Sequence, residues 1–247
     1  MTVLGVIPAR YQSSRFPGKP LAKIMGKSMI EYVYIQTDRS RLIDRLIVAT
    51  DDQRIIDTVD SMGGEAVLTP GNLKTGSDRA AYVARTVNCD IVANIQGDEV
   101  FITPEVIDDC ISALQSDDKV LVSTAAKEDI SREDLNNPNR VKVLADRNGD
   151  AIYFSRSKIP YIRDQIELDN DHPAMLHIGL YVFRKDFLMR FTDFSESVLE
   201  KMEKLEQLRI LENGYSIKVV KADIDSIGID SPEDIAKAER ILKAEIR

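Results

Sequence analysis

Three cations fall within ten residues near the start of the chain, in Arg10-Tyr-Gln-Ser-Ser-Arg15-Phe-Pro-Gly-Lys19. Arginine forks, a lysine point charge and the backbone N–H groups of a glycine-containing loop are suited to a polyphosphate. The same charges also suit a solvated loop. Two carboxylates from distant parts of the chain, Asp98 in Gln96-Gly97-Asp98-Glu99 and Asp230 just before Ser231-Pro232, offer hard oxygen donors. Mg²⁺ takes one or two carboxylates together with substrate phosphates and water, and this pair fits that need. On local grounds alone, Asp98 also fits a turn and Asp230 a helix-terminal charge.

The surrounding field makes the basic cluster informative. Lys and Arg total 33 against 41 Asp and Glu, a net charge of -8, which repels a polyanion at long range and argues against nucleic acid as a partner. An anion must therefore be held by local charge. Two familiar phosphate motifs are missing. Gly26-Lys27-Ser28 has the ending of a P-loop, but Leu21 stands where its first glycine belongs, and no GxGxxG follows a strand. A P-loop kinase or a dinucleotide oxidoreductase lacks its signature, whereas a nucleotidyltransferase needs neither.

The elements that must position these groups are legible as periodicity. Apolar runs at Val3 to Pro8, Leu46 to Thr50, Ile91 to Ile95 and Val120 to Thr124 read as strands buried on both faces. Between them, Met29 to Arg39, Arg54 to Met62, Asp78 to Val87 and Pro104 to Gln115 repeat apolar residues at helical spacing, with Thr103-Pro104-Glu105 as a helix start. The pattern is βαβα with a largely parallel sheet, in which ligands bind beyond the carboxyl ends of the strands. Both Arg10 to Lys19 and Gln96 to Glu99 follow such strands. From Arg140 to Ile159 and at Ile178 to Phe183 the pattern predicts a small antiparallel insertion. A helix at Leu199 to Glu212, a strand at Ser216 to Val220 and a last helix from Ser231 complete the chain.

Cys89 and Cys110 have no metal-ligand spacing and read as buried small hydrophobes in a reducing compartment. No apolar run approaches the roughly 18 residues of a membrane span, and Arg10 comes too soon for a signal peptide. The expected location is the cytoplasm, with no membrane partner.

The stretch Ile7-Pro-Ala-Arg-Tyr-Gln-Ser-Ser-Arg-Phe-Pro-Gly-Lys-Pro-Leu21 resembles the opening of the 3-deoxy-manno-octulosonate (Kdo) cytidylyltransferases. The resemblance continues through Val48-Ala-Thr-Asp51, Thr75-Gly-Ser-Asp-Arg79, Asn94-Ile-Gln-Gly-Asp-Glu99, Asn137-Pro138, Tyr153-Phe-Ser-Arg156, His177-Ile-Gly-Leu-Tyr181, Leu205-Glu-Gln-Leu-Arg209 and Ile229-Asp-Ser-Pro-Glu-Asp234. It implies a Rossmann-like nucleotidyltransferase fold, α/β with a mostly parallel central sheet and a small antiparallel insertion. It also implies one domain over 1–247, with an acceptor-binding and dimerisation subdomain around 140–195.

The implied reaction is transfer of CMP from CTP to the anomeric hydroxyl of an acidic 3-deoxy sugar, with release of pyrophosphate. By resemblance Arg10, Arg15 and Lys19 hold the triphosphate, Arg79 and Gln96 help form the cytidine pocket, and Asp98 and Asp230 hold Mg²⁺. Arg156, Arg163, His177, Tyr181, Glu206 and Gln207 take the sugar acid, and a homodimer is implied. Read without the family, Glu206 and Gln207 lie on a solvated helix face and His177 is a core histidine. Two positions depart from the family pattern: Val100 replaces the proline of Gln-Gly-Asp-Glu-Pro, and Ser28 replaces that of Gly-Lys-Pro-Met. They leave open a relative of Kdo, such as an amino-substituted form, as the acceptor; a non-catalytic nucleotide-binding protein is the reading from another class.

Overall fold

Every residue of Val3–Ala9 and of Ile91–Ile95 is buried in the computed structural model, as runs apolar on both faces require. The structure describes residues 1–12, 16–163, 172–224, 229 and 232–245. Its strands are β1 (Val3–Ala9), β2 (Lys23–Ile24), β3 (Lys27–Ser28), β4 (Arg45–Thr50), β5 (Ala66–Leu68), β6 (Ile91–Ile95), β7 (Val122–Lys127), β8 (Lys142–Ala145), β9 (Ala151–Ser155), β10 (Met175–Arg184) and β11 (Lys218–Ala222). Its helices are α1 (Met29–Asp38), α2 (Gln53–Ser61), α3 (Gly76–Ala84), α4 (Pro104–Ser116), α5 (Arg132–Asn136), α6 (Lys185–Asp193), α7 (Val198–Glu203), α8 (Leu208–Glu212) and α9 (Pro232–Glu245).

Among the described residues nine strands form one sheet, ordered β11-β7-β10-β6-β1-β4-β5, with β8 on β10 and β9 on β8. β6, β1, β4 and β5 are mutually parallel, as are β11 and β7. Side chains alternate between two apolar layers. Leu4, Val6 and Val92 join α3, α6 and α8 on one face, and Val3, Ile7 and Ile91 join α1, α2 and α4 on the other. A third cluster packs Val100 and Phe101 with Ile24, Ile229 and Ala238 of α9. Both cysteines are buried, as their apolar surroundings suggest. Among the described residues no helix is long and apolar enough to cross a membrane.

Two expectations change. The strand Ile178 to Phe183, expected in the antiparallel insertion, belongs to the ten-residue β10, which runs antiparallel between β6 and β7 within the main sheet. Ile178, Leu180 and Val182 face one layer while Tyr181 and Phe183 face the other; only an interior strand buries both sets. The helix expected over Leu199 to Glu212 is broken into α7 and α8. Lys204 adopts the left-handed conformation (φ 54°, ψ 47°) and its N–H closes on Glu200 O. Leu205, Glu206 and Gln207 form the turn between the helices, so Glu206 and Gln207 are not on a helix face.

Candidate active site

β1 and β6 pair in parallel with Val6 opposite Asn94, so the segments leaving their carboxyl ends start side by side. The first is the basic loop. Its ends are tied by Gly18 N–H donating to Tyr11 O at 2.8 Å, and Gly18 sits at φ +73° with the Tyr11 ring where a Cβ would project. Tyr11 is gripped from outside: its N–H donates to Asp51 Oδ1 at 3.4 Å, and the Arg54 guanidinium lies 3.4 Å above its ring. Arg10 is exposed at the loop's start. Lys19 opens the 3-10 turn Lys19–Leu21 at the loop's end. Arg15 lies outside the described residues, as does Asp230.

The second segment carries Gln96, Asp98 and Glu99. Asp98 Oδ2 meets Lys19 Nζ at 2.6 Å, joining the two loops through a charge-assisted bond. Glu99 turns to β10, where its Oε1 accepts the Gly179 N–H at 2.6 Å while Gly179 O accepts Gln96 N–H at 2.9 Å. A Cβ at Gly179 would stand 2.7 Å from Glu99 Oε1 and 3.0 Å from Gln96 Cγ, so a larger residue would push the Glu99 carboxylate off the Gly179 N–H. The register of β10 against β7 slips between Ile178 and Tyr181, at this same point.

Beyond this crossing opens a cavity of about 880 Å³. Gln96, Asp98, Arg156, His177, Tyr181, Glu206 and Gln207 all line it. Residues expected to serve the nucleotide end and the acceptor end thus share one space, although they come from four separate parts of the chain. Arg163 is exposed, next to the undescribed segment 164–171, and does not line the cavity. Arg79 is not at the surface. It is 1% exposed, donates to the Thr69 hydroxyl and pairs with Asp51 at 3.3 Å, and burial together with the nearby Arg10 charge lowers its pKa, against the pull of Asp51.

The acceptor end is held by main-chain carbonyls and buried charges. Arg156 Nε donates to Glu203 O at 2.7 Å, and its Nη1 to Pro138 O at 3.2 Å. Beneath it, the fully buried Lys142 donates to the carbonyls of Asn137, Arg140 and Arg156 at 3.0, 2.6 and 2.5 Å. Glu200 and Arg209, 6% and 7% exposed, form a two-pronged pair at 2.8 and 2.9 Å that bolts α7 to α8 across the turn bearing Glu206 and Gln207. Gln207 is buried. Tyr181 Oη and Glu206 Oε2 are buried without a hydrogen-bond partner among the described residues, and such atoms cost stability until something pairs with them.

His177 lies edge-on to Phe154 and tilted on Tyr181, with ring centroids 5.3 and 5.2 Å away. Thr124 Oγ1 stands 2.6 Å from Leu180 O and 2.9 Å from His177 Nε2. A hydroxyl has one proton, and a carbonyl only accepts, so Thr124 donates to Leu180 and His177 Nε2–H donates to Thr124. Burial pushes the imidazole pKa down from 6.5 to about 3. Its folded value lies below its unfolded value, so the stability linked to the neutral ring is complete above 6.5 and lost as pH falls towards 3. Relative to a His177→Gln variant, the wild-type protein is expected to lose on the order of 3 kcal/mol more stability between about pH 7 and pH 4. Urea titrations of both proteins across that range check this; parallel pH curves would place the ring's proton on in the folded state.

Several residues at the site went unseen in the sequence. Thr75 and Asp78 form a capping box that starts α3 at Gly76, and the Thr-x-x-Asp spacing was available to mark it. Lys142 and Thr124 carried no signal of their own, because nothing local marks which polar residue of a strand faces a cavity.

Comparison with known proteins gives a consistent result. A family model described as cytidylyltransferase matches residues 4–222. The 3-deoxy-manno-octulosonate cytidylyltransferase of Syntrophobacter fumaroxidans is 48% identical over 98% of this chain and 97% of its own. That of Syntrophotalea carbinolica is 47% identical over 98% and 99%. A solved structure of CMP:2-keto-3-deoxy-manno-octonic acid synthetase complexed with CTP superposes with a TM-score of 0.90 at 36% identity, covering 99% of this chain and 100% of that one. Agreement this deep over nearly the full length places the chain in the cytidylyltransferase family, among the 3-deoxy-manno-octulosonate cytidylyltransferases.

Proposed function

We propose that this protein transfers CMP from CTP to the anomeric hydroxyl of 3-deoxy-manno-octulosonate, releasing pyrophosphate. The observation that carries the reading is the contact of Lys19 with Asp98, which lines the same cavity as His177, Tyr181, Glu206 and Gln207. A cation at one end and unpaired buried acceptors and donors at the other suit a triphosphate meeting a polyhydroxylated acid. The bond from the anomeric oxygen to the α-phosphorus forms, the bond from that phosphorus to the bridging oxygen breaks, and the hydroxyl proton leaves.

Arg10, Arg15 and Lys19 neutralise the triphosphate and orient pyrophosphate for departure. Gln96 faces the nucleoside, and Arg79 acts from behind, fixing Asp51 and through it Tyr11 at the base of the basic loop. Arg156 meets the sugar carboxylate, while Arg163, outside the cavity, adds positive charge nearby at most; His177, Tyr181, Glu206 and Gln207 meet the hydroxyls and fix the attacking oxygen in line. Asp98, a partly exposed carboxylate at a strand end already drawn to a cation, would hold a Mg²⁺, with Asp230 as the second proposed ligand. When bound, Mg²⁺ supplies charge stabilisation at the phosphoryl oxygens and acidifies the attacking hydroxyl. The protein works as a cytoplasmic homodimer, and its product feeds bacterial surface polysaccharide.

Val100 does not enter the cavity. It is 2% exposed in the cluster with Ile229, so the missing proline is met by packing and leaves Kdo the favoured acceptor. Pyrophosphate release with CTP, Mg²⁺ and a panel of sugar acids tests this. Turnover with an amino-substituted relative but not with Kdo would overturn the choice of acceptor, and no turnover with any would overturn the activity. Lys19→Ala is expected to lower kcat/KM for CTP about 10²-fold, the usual weight of one charged donor on a reacting group; an unchanged value would remove Lys19 from the phosphate site.

A further inference from the structure

The hydroxyl of Ser77 is buried in the first turn of α3, 1% exposed, between two partners of fixed polarity. It lies 2.8 Å from Glu206 Oε1 and 3.3 Å from Asn94 Nδ2. An amide nitrogen only donates, so the Ser77 oxygen accepts from Asn94 and its single proton goes to the Glu206 carboxylate. Asn94, fully buried in β6, is oriented in turn: its Oδ1 faces Gln96 Nε2 at 3.5 Å. The donors therefore all point one way, from the nucleotide side of the cavity towards Glu206. The surrounding contact between α3 and β6 is apolar, with Ala80, Ala81, Ala84 and Val92 buried in it. Polar side chains placed there cost stability, and the direction of their hydrogen bonds benefits Glu206 alone.

We propose that Ser77 is a positioning residue for the acceptor: its proton holds Glu206 Oε1 and so turns Oε2 of that carboxylate to the sugar hydroxyls, while Asn94 fixes the direction of the donation. This rests on reading the cavity as the sugar-acid site. The other groups acting on the Glu206 charge are Thr75 and Asp78 from the start of α3, Arg209 from α8 and Tyr181 from β10. Burial raises the Glu206 pKa, and the hydroxyls of Thr75 and Ser77 oppose that rise. Removing the Ser77 hydroxyl therefore moves the carboxyl further upward.

The test is steady-state kinetics of Ser77→Ala and Ser77→Thr with CTP and the sugar acid varied separately, alongside thermal melts. Ser77→Ala is expected to raise KM for the sugar acid about tenfold or more, the usual weight of one hydrogen bond to a charged group. KM for CTP should change less than about twofold. The acid limb of the kcat/KM profile for the sugar acid should move to higher pH, and Ser77→Thr should restore both. An unchanged KM for the sugar acid, or equal rises for both substrates, would overturn the assignment. If Ser77→Ala does not fold, Asn94→Asp serves, because an acceptor of the same shape draws the Ser77 proton away from Glu206; a wild-type KM for the sugar acid in that folded variant overturns it equally. Absence of turnover by the wild-type protein would be a failure of the functional reading itself, seen before any variant is made.

Discussion

Asp98→Ala is expected to lower kcat/KM about 10³-fold or more while the protein melts within a few degrees of the wild type. The two halves of that result have separate causes. Asp98 sits beyond the end of β6 with 41% of its side chain exposed, so the core does not depend on it. Its carboxylate is nevertheless the point where the basic loop and the loop after β6 touch, 2.6 Å from Lys19. Deleting it removes the oxygen ligand proposed for Mg²⁺ and releases Lys19 from its anchor. Asp98→Asn separates these effects: it keeps the size and a hydrogen-bond acceptor for Lys19 but not the charge, and should be almost as inactive. Wild-type turnover in either variant would rule out the metal role; a collapse in melting temperature would make Asp98 structural.

Arg209→Ala is expected to destabilise the fold by about 3–5 kcal/mol, a fall in melting temperature of roughly 6–20 °C. The destabilisation arises because Glu200 would stay buried with its charge unpaired, not because the pair is itself strongly stabilising. The Arg209 guanidinium also donates to Phe194 O at 3.1 Å and lies 4.8 Å above the Phe191 ring, and the alanine side chain replaces neither interaction. A Glu200→Met, Arg209→Met double variant should recover much of the stability, since two apolar groups need no partner. It should not recover acceptor binding. The pair spans the turn that carries Glu206 and Gln207, so the double variant is expected to fold and still show a raised KM for the sugar acid. Differential scanning calorimetry with acceptor kinetics checks both; a stable double variant with normal kinetics would mean the turn holds itself.

The central strands and the helices between them in the first half were legible because both faces of the sheet are covered, whereas the half-exposed edge strand β5 and the two-residue β2 and β3 carried no such run. A buried parallel strand must be apolar throughout, and Ile91 to Ile95 reads that way without tertiary context. What escaped the sequence was decided by interactions between distant residues. The break at Lys204 has no glycine, proline or asparagine to announce it, and the leucines at 205, 208 and 211 continue the helical rhythm across it. The buried Glu200–Arg209 pair and the left-handed Lys204 make the turn, and neither is a local property. Arg79 shows the same limit from the other side. Its place in the Thr75 to Arg79 motif marks it as important, yet nothing in that string says that the guanidinium faces Asp51 inside the protein. The basic loop and Asp98, by contrast, were legible from position alone, since both follow a buried strand at its carboxyl end.

The antiparallel strand β10 has a consequence for how the molecule is assembled. Residues 180–184 pair with 91–95, and Tyr181 to Phe183 pair with 122–124. During synthesis the edge of β6 therefore waits for some eighty further residues before its neighbour exists, and β7 has no partner strand until β10 is made, with β11 following later still. The same strand brings Gly179 and His177 into the cavity, so closing the sheet and completing the site are one event. Nascent chains halted before this strand should expose a long apolar edge and depend on chaperones, and the slow, non-local closure should set the refolding rate.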